Sequence, residues 1–150
     1  MNLKPLFFYL TIITFEISNL KLKSMKIATI IIRTLLGLFL LFASISYFVG
    51  FHPEGDEKPT GDLLTFITGV MASGYLMPLA KVVELLCGLS FVTNKYVTLF
   101  SIVLLPVSIN LFCIHAFMEP AEMPPVIFIL AANIFLLYKN WANYKTVLTA

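Results

Sequence analysis

A lysine and a glutamate, Lys81 and Glu84, stand three residues apart in a strongly apolar part of the sequence, residues 74–88, which read GYLMPLAKVVELLCG. A charged side chain at the centre of a bilayer costs roughly 2.5–3.5 kcal/mol on insertion scales, so such residues are usually paired and turned toward the protein interior. The pair therefore predicts either a proton or ligand site or an ion pair that only fixes helix register, and the sequence leaves both open.

Three further polar residues are predicted to lie near this pair. With a rise of about 1.5 Å per residue, Asn133 lies at the depth of Glu84, Asn110 lies slightly closer to the outer face, and His115 lies near the outer end of its helix. These three residues, together with Lys81 and Glu84, form a candidate ligand or proton site in the outer half of a helical bundle. The alternative role is inter-helix hydrogen bonding for the two asparagines and an interfacial position for His115.

A stripe of small residues and one proline accompanies the charged pair. Gly74, Pro78 and Gly88 share its helical face at spacings of three and four residues. Small residues let a neighbouring membrane helix come close, and proline is tolerated in the first turn of a helix. We therefore expect Gly74, Pro78 and Gly88 to be helix-packing positions.

Several other chemistries lack the residues they need. Cys87 and Cys113 form no Cys-x-x-Cys pair, which argues against a zinc or thioredoxin-like site and favours packing roles, and a disulfide requires that they face each other. His52 and His115 both lie near the outer face and do not suit a haem clamp across two helices. There is no glycine-rich phosphate loop and no nucleophile elbow. We expect no metal site and no self-contained catalytic motif, which leaves enzymatic activity uncertain.

The composition indicates a chain whose solvent is the lipid bilayer. Of its 150 residues 59% are hydrophobic and 12% are charged, where soluble domains carry about 25% charged residues. The net charge of +2 is too small and dispersed for nucleic-acid binding. Four apolar stretches qualify for the roughly 20 residues that a membrane span needs, the last only just: residues 27–51, 75–93, 96–118 and 123–141. Their short connections predict an all-α, polytopic four-helix membrane bundle.

An additional amphipathic helix is predicted between the first two spans. Residues 63–73 place their apolar side chains on one helical face, with Thr60 as the N-cap and Asp62 near the positive helix start. We expect this helix to lie on the outer membrane surface and to end at Ser73 and Gly74. The apolar face consists of Leu63, Leu64, Ile67, Val70 and Met71.

The distribution of lysines predicts the orientation of the chain. Most lysines flank the ends of the spans that would face the cytoplasm, whereas the opposite loops, which include the polar turn at residues 52–62, are mainly acidic. Both termini are therefore expected in the cytoplasm. The lysines that carry this prediction are Lys21, Lys23, Lys26, Lys95, Lys139 and Lys145.

The first 24 residues do not fit the bundle. Residues 6–15 form an apolar run too short to span, and Met25 with Lys26 resembles a natural start. We interpret residues 1–24 as an over-extended gene start or a loose interfacial segment, and residues 25–150 as the membrane domain.

Three segments resemble the DoxX family of small four-helix bacterial membrane proteins: RTLLGLFLLFASISYF at residues 33–48, MASGYLMPLAKVVELLCGLSFV at residues 71–92, and NLFCIHAF at residues 110–117. The most specific part is Pro-Leu-x-Lys-x-x-Glu-x-x-x-Gly at residues 78–88, and the resemblance covers residues 26–148. It carries Lys81, Glu84 and Gly88 as motif positions, together with Asn110 and His115. It implies residence in the bacterial inner membrane.

The family takes its name from a subunit of an archaeal terminal quinol oxidase, and related members act in thiosulfate:quinone oxidoreduction. The resemblance therefore implies an accessory subunit of a membrane redox or quinone-linked complex, with redox partner subunits and with quinone as a ligand. No cofactor is expected on this chain alone, and a homo-oligomer stays open. The alternatives are a small membrane transporter or permeability factor, or a purely structural membrane protein.

Overall fold

The computed structural model describes residues 4–51 and 60–148, which are almost entirely helical and contain no β-strand. The all-α prediction is confirmed. Most of the predicted polar turn at residues 52–62, including His52, lies outside the described residues. A short 3-10 helix, Pro120–Glu122, precedes α5. The α-helices are α1 (Lys4–Val49), α2 (Gly61–Ala72), α3 (Leu76–Thr93), α4 (Val97–Met118), α5 (Met123–Lys139) and α6 (Trp141–Leu148).

The chain divides into two units, residues 1–32 and residues 33–150. Helix α1 runs through this boundary and also through Met25 without a break. The interpretation of residues 1–24 as an extended start or an interfacial segment stays a prediction. All contacts that form the candidate site lie within the second unit.

Among the described residues, three helical segments are long and apolar enough to cross a membrane: Lys23–Val49, Leu76–Thr93 and Val97–Met118. They correspond to the first three predicted spans. The fourth predicted span forms α5, an apolar helix of 17 residues that ends at Lys139. The chain then continues as α6, which the sequence interpretation missed because Trp141 prolongs the apolar pattern.

The second unit carries its apolar side chains on the outside and several polar ones within. Leu79, Ile109 and Ile134 are each about half exposed, whereas Glu84 and Asn133 are buried. Soluble domains do not cover themselves with contiguous apolar surface of this kind, and lipid-facing helices do. The exterior is therefore suited to contact with lipid.

Helix α4 occupies the centre of the second unit, between α3 and α5, and α2 packs against both α3 and α4. Helix α1 approaches α3 where two glycines meet. A Cβ atom on Gly88 would lie 2.8 Å from Leu41 Cγ and 3.0 Å from the Gly37 carbonyl oxygen. A Cβ atom on Gly37 would lie 3.0 Å from Phe91 Cβ. At this spacing neither position has room for a side chain.

The break between α2 and α3 lies where the sequence predicts it. Gly74 has a φ of +72°, a left-handed conformation that glycine adopts without strain, and it follows the C-cap Ser73. Pro78 is the third residue of α3, where its missing N–H removes no helical hydrogen bond. Thr60 occupies the N-cap position of α2 but its side chain makes no capping hydrogen bond.

The packing of α2 differs in part from the predicted surface helix. Leu63 is buried, and Ile67 and Val70 are half-buried, as their shared face predicts. Leu64 and Met71, which were predicted on the same face, are exposed instead. The apolar face of α2 turns toward α3 and α4 rather than only toward a membrane surface.

Helix α6 is attached to the beginning of α4 by two hydrogen bonds. The Tyr144 hydroxyl donates to the Thr98 carbonyl at 2.7 Å, and Asn143 Nδ2 donates to Thr98 Oγ1 at 3.2 Å. Burial raises the pKa of the Tyr144 phenol above its ordinary value of 10.0, and a hydrogen bond with Ser101 opposes this shift more weakly. The docked helix thus favours the neutral phenol.

Replacing Gly88 by alanine should destabilise the protein, because the new Cβ would press on α1. We expect a loss of about 1–3 kcal/mol, typical of overpacking, measured as a lower melting temperature in detergent micelles. Gly69→Ala is the matched control, because Gly69 is also helical but has no atom within 4 Å of a Cβ position. Equal melting temperatures for the two variants would contradict the close α1–α3 contact.

The melting temperature should fall in alkaline solution for a reason specific to Tyr144. Its pKa is higher in the folded state than in the unfolded state, so its contribution is present below about pH 10 and is lost as the pH rises through the raised value. Tyr144→Phe should flatten this part of the pH profile. Tyr138→Phe, at a 73% exposed position, should leave the profile unchanged.

Candidate functional site

A groove of about 390 Å³ opens between α2, α3 and α4. Its walls are mostly apolar, and its polar side chains are Lys81, Glu84 and Asn110. This volume lies within the range of about 300–1,000 Å³ that small-molecule sites occupy. The apolar walls consist of Phe66, Val70, Leu76, Met77, Ala80, Val107, Leu111 and Ile114.

The Lys81–Glu84 pair supplies two of the polar side chains that line this groove. Lys81 Nζ lies 2.8 Å from Glu84 Oε2, and the two side chains are 21% and 9% exposed, respectively. A spacing of three residues brings both onto one face of α3. Glu84 is about 12 Å along the helix from its first residue, well away from either end. The pair joins two opposite charges into a compact dipole in the lining of the groove.

The pair also lines a smaller void of about 60 Å³. Lys81 and Glu84 line it together with Ser108 and with apolar residues of α1, α4 and α5, among them Leu40 and Leu104. A water molecule needs about 10–15 Å³ of such volume and two or more polar partners, so the void has room for water. The ion pair thus lines both an open apolar groove and a smaller, mostly apolar void that contains a few polar groups.

Asn133 joins α5 to α4 behind this void. Its amide is fully buried and lies 3.2 Å from Ser108 Oγ. Both amide atoms are satisfied when Nδ2 donates to the Ser101 carbonyl at 3.1 Å and Oδ1 accepts from Ser108 Oγ and the Leu105 N–H, each at 3.2 Å. We adopt this orientation because it leaves no buried amide atom facing a like group. Asn133 therefore serves as an inter-helix hydrogen-bonding residue in this structure.

The five predicted ligand or proton residues are only partly brought together. Lys81, Glu84 and Asn110 share the groove, whereas Asn133 reaches the void only through Ser108. His115 lines neither space, and its Nδ1 lies 2.9 Å from the Leu111 carbonyl on its own helix. The depth of Asn133 along its helix was compatible with the site, but its direction is toward α4.

The three predicted helix-packing residues lie in different environments. Gly88 lies against α1, as described above. Gly74 has no atom within 4 Å of a Cβ position, so it serves the turn between α2 and α3 rather than a close helix contact. Pro78 is half-buried in the first turn of α3.

Two residues that matter to the site were not predicted as part of it. Phe66 forms a wall of the groove, and Ser108 links the void to Asn133. Phe66 stands one turn before Val70, and Ser108 two turns after the buried Ser101, so helical spacing contained the signal in both cases.

The cysteines and the acidic residues provide no further centre. Cys87 is buried, Cys113 is exposed and both thiols are free, so they form no disulfide. Within the described residues, no three His, Cys, Asp or Glu side chains lie close enough to hold a metal ion together.

Asn133→Leu should weaken the α4–α5 contact, because the leucine leaves the Ser108 hydroxyl without its inter-helix partner. Inter-helix hydrogen bonds of membrane proteins average about 0.6 kcal/mol and reach about 1.7 kcal/mol, so we expect a loss in this range on unfolding in detergent. Asn143→Leu removes an exposed bond to Thr98 and should cost less. An equal or larger loss for Asn143→Leu would contradict the importance of the buried amide.

Comparison with known proteins yields no match: no family model matches the chain, and neither a curated protein nor a solved structure matches it. The DoxX resemblance of residues 26–148 stays a prediction.

Proposed function

We propose that this chain is a four-span protein of the bacterial inner membrane that binds a lipid-soluble quinone in the Lys81–Glu84 groove, as an accessory subunit of a membrane redox complex. The observation that carries this proposal is the groove of about 390 Å³ whose mostly apolar walls also contain an ion pair and an asparagine. A quinone has a flat apolar ring with carbonyl oxygens, and this combination of surfaces complements it.

The fourth span of this proposal is α5. Its 17 residues rise over about 25 Å, close to the roughly 30 Å of a bilayer core, and it packs beside α4. Lys95 and Lys139 lie near one end of the α3–α5 bundle, and Asp62 and Glu119 near the other. This charge asymmetry supports an orientation with the lysine end and both termini in the cytoplasm.

The polar groups of the groove suit the two forms of a quinone. The Lys81 ammonium and the Asn110 amide can donate hydrogen bonds to a carbonyl oxygen of the oxidised ring. The Glu84 carboxylate can accept a hydrogen bond from a hydroxyl of the reduced ring. Reduction of the ring takes two electrons and two protons. In this proposal a redox partner subunit, which the DoxX resemblance implies, supplies both electrons, and water supplies both protons.

Closing the groove by a bulky side chain should prevent quinone binding. Ala80→Phe places a ring in the groove, and we expect a photoreactive short-chain quinone to label this variant at least several-fold less than the wild type. Leu79→Phe is the matched control, because Leu79 is its neighbour on α3, is 55% exposed and does not line the groove. Peptide mapping of the labelled protein should locate the adduct on α2, α3 or α4.

Substitution of the ion pair tests the polar half of the proposal. Glu84→Gln and Lys81→Met should each lower labelling and any quinone-dependent activity of the membrane complex. Unchanged labelling in Ala80→Phe and unchanged activity in Glu84→Gln would together overturn the quinone assignment.

A second candidate is a small transporter in which the pair acts as a gated polar step. Its supporting observation is that Lys81 and Glu84 line both the open groove and the interior void. Solute flux in proteoliposomes that disappears in Lys81→Met would favour this candidate. If Lys81→Met combined with Glu84→Leu keeps folding, labelling and cellular function, the pair is instead a structural clasp.

A further inference from the structure

A second groove lies between α4, α5 and α6, and neither Lys81 nor Glu84 lines it. Its volume is about 690 Å³, and it shares no lining residue with the Lys81–Glu84 groove. Its walls are almost entirely apolar and include Tyr96, Leu99, Ile102, Leu137 and Trp141. A cleft of this size and chemistry on a lipid-facing surface is suited to a hydrocarbon chain rather than to water.

The direction of this cleft matches that of a lipid tail. Its lining on α4 extends from Tyr96 at the beginning of the helix to Leu105, over about 13 Å of helix rise. Tyr96 is the N-cap of α4 and Trp141 is the first residue of α6, and at such helix ends the aromatic rings of membrane proteins meet the head groups. The cleft therefore runs from the head-group level toward the middle of the bilayer.

Two lysines lie close in sequence to residues that line this cleft. Lys95 precedes the lining residue Tyr96, and Lys139 lies two residues before Trp141 in the last turn of α5. Neither lysine side chain has a hydrogen-bond or ion-pair partner among the described residues. The sequence places no acidic residue in the α3–α4 turn, in the last turn of α5 or in α6. This end of the unit complements a negative charge.

We propose that this cleft binds an anionic phospholipid, with an acyl chain between α4 and α6 and the phosphate beside Lys95 and Lys139. Basic pockets at the cytoplasmic ends of membrane helices recognise anionic head groups by the same combination of charge and apolar contact. The proposal does not depend on quinone binding, because the two grooves are formed by different residues.

Trp141 allows a direct test, because it is the one tryptophan of the chain and it lines the cleft. The full-length protein is reconstituted in vesicles that mix phosphatidylcholine and phosphatidylglycerol, with bromine labels on the acyl chains of one lipid at a time. Quenching of Trp141 then reports which lipid lies beside it. We expect brominated phosphatidylglycerol to quench more than brominated phosphatidylcholine at equal mole fraction.

The lysines supply the head-group preference in this proposal. Replacing Lys95 and Lys139 by glutamine should reduce the relative association constant of phosphatidylglycerol by about five-fold for each lysine. Replacing both by arginine keeps the charge and should keep the preference. Equal quenching by the two lipids in the wild type, or a preference that survives in the glutamine variant, would overturn the proposal and leave only ordinary surrounding lipid.

The acyl-chain half of the proposal has its own matched pair of variants. Ile102→Phe fills the cleft and should reduce quenching by brominated phosphatidylglycerol. Ile109→Phe changes the same residue type on the same helix, also about half exposed but outside the cleft, and should not. Equal quenching in these two variants would overturn the placement of the chain between α4 and α6.

Discussion

A lysine and a carboxylate in an apolar helix each carry a cost in free energy until a partner is found. Here the partner is less than one turn away on the same helix, and the contact of 2.8 Å needs no other element to form. The neighbouring helices surround the pair with apolar and neutral polar side chains. Helices α2 and α4 wall one side of the pair as an open groove, and α1, α4 and α5 close the other side around a small void. The arrangement keeps a polar centre inside a chain whose exterior is apolar.

Helix α4 packs against α2, α3 and α5. It contains the interior proline Pro106. Proline lacks an N–H and removes one hydrogen bond from the turn that precedes it. Asn133 of α5 bonds to the Ser101 carbonyl and the Leu105 N–H in that same turn. A buried amide thus adds hydrogen bonds to α4 beside Ile102, whose carbonyl lacks the usual N–H partner at position 106. Because α4 lines both grooves, its straightness affects both.

The sequence was sufficient for the helices whose ends carry a chemical signal. Glycine at position 74 and the pair Asn94 and Lys95 limit α3 on both sides, and its predicted bounds differ from the observed ones by one residue. Helix α6 has no such signal in hydropathy, because Trp141 continues the apolar run. Its separation from α5 depends on Asn140, whose side chain turns back to the Leu136 carbonyl at 2.8 Å.

For the candidate site, residue spacing predicted the depth of the polar residues but not the direction of their side chains. Helical rise predicted that Glu84, Asn110 and Asn133 lie at similar depths, but depth does not determine the direction in which a side chain points. Asn133 turns toward α4 and away from the groove. The sequence did not predict Phe66 as a site residue, because its role depends on how α2 packs against α3 and α4, which is a tertiary contact.

The short range of the Lys81–Glu84 contact has a consequence for biosynthesis. A nascent α3 can neutralise its two charges by itself, before α4 has left the ribosome, so the insertion machinery receives a segment already less costly to transfer into lipid. The turn at residues 94–96 then keeps α4 next to it as a helical hairpin. The bond between Asn133 and Ser108 joins two different helices and can form only after α5 has followed. The ion pair can therefore form early, within α3 alone, and the hydrogen bond between α4 and α5 can form only later.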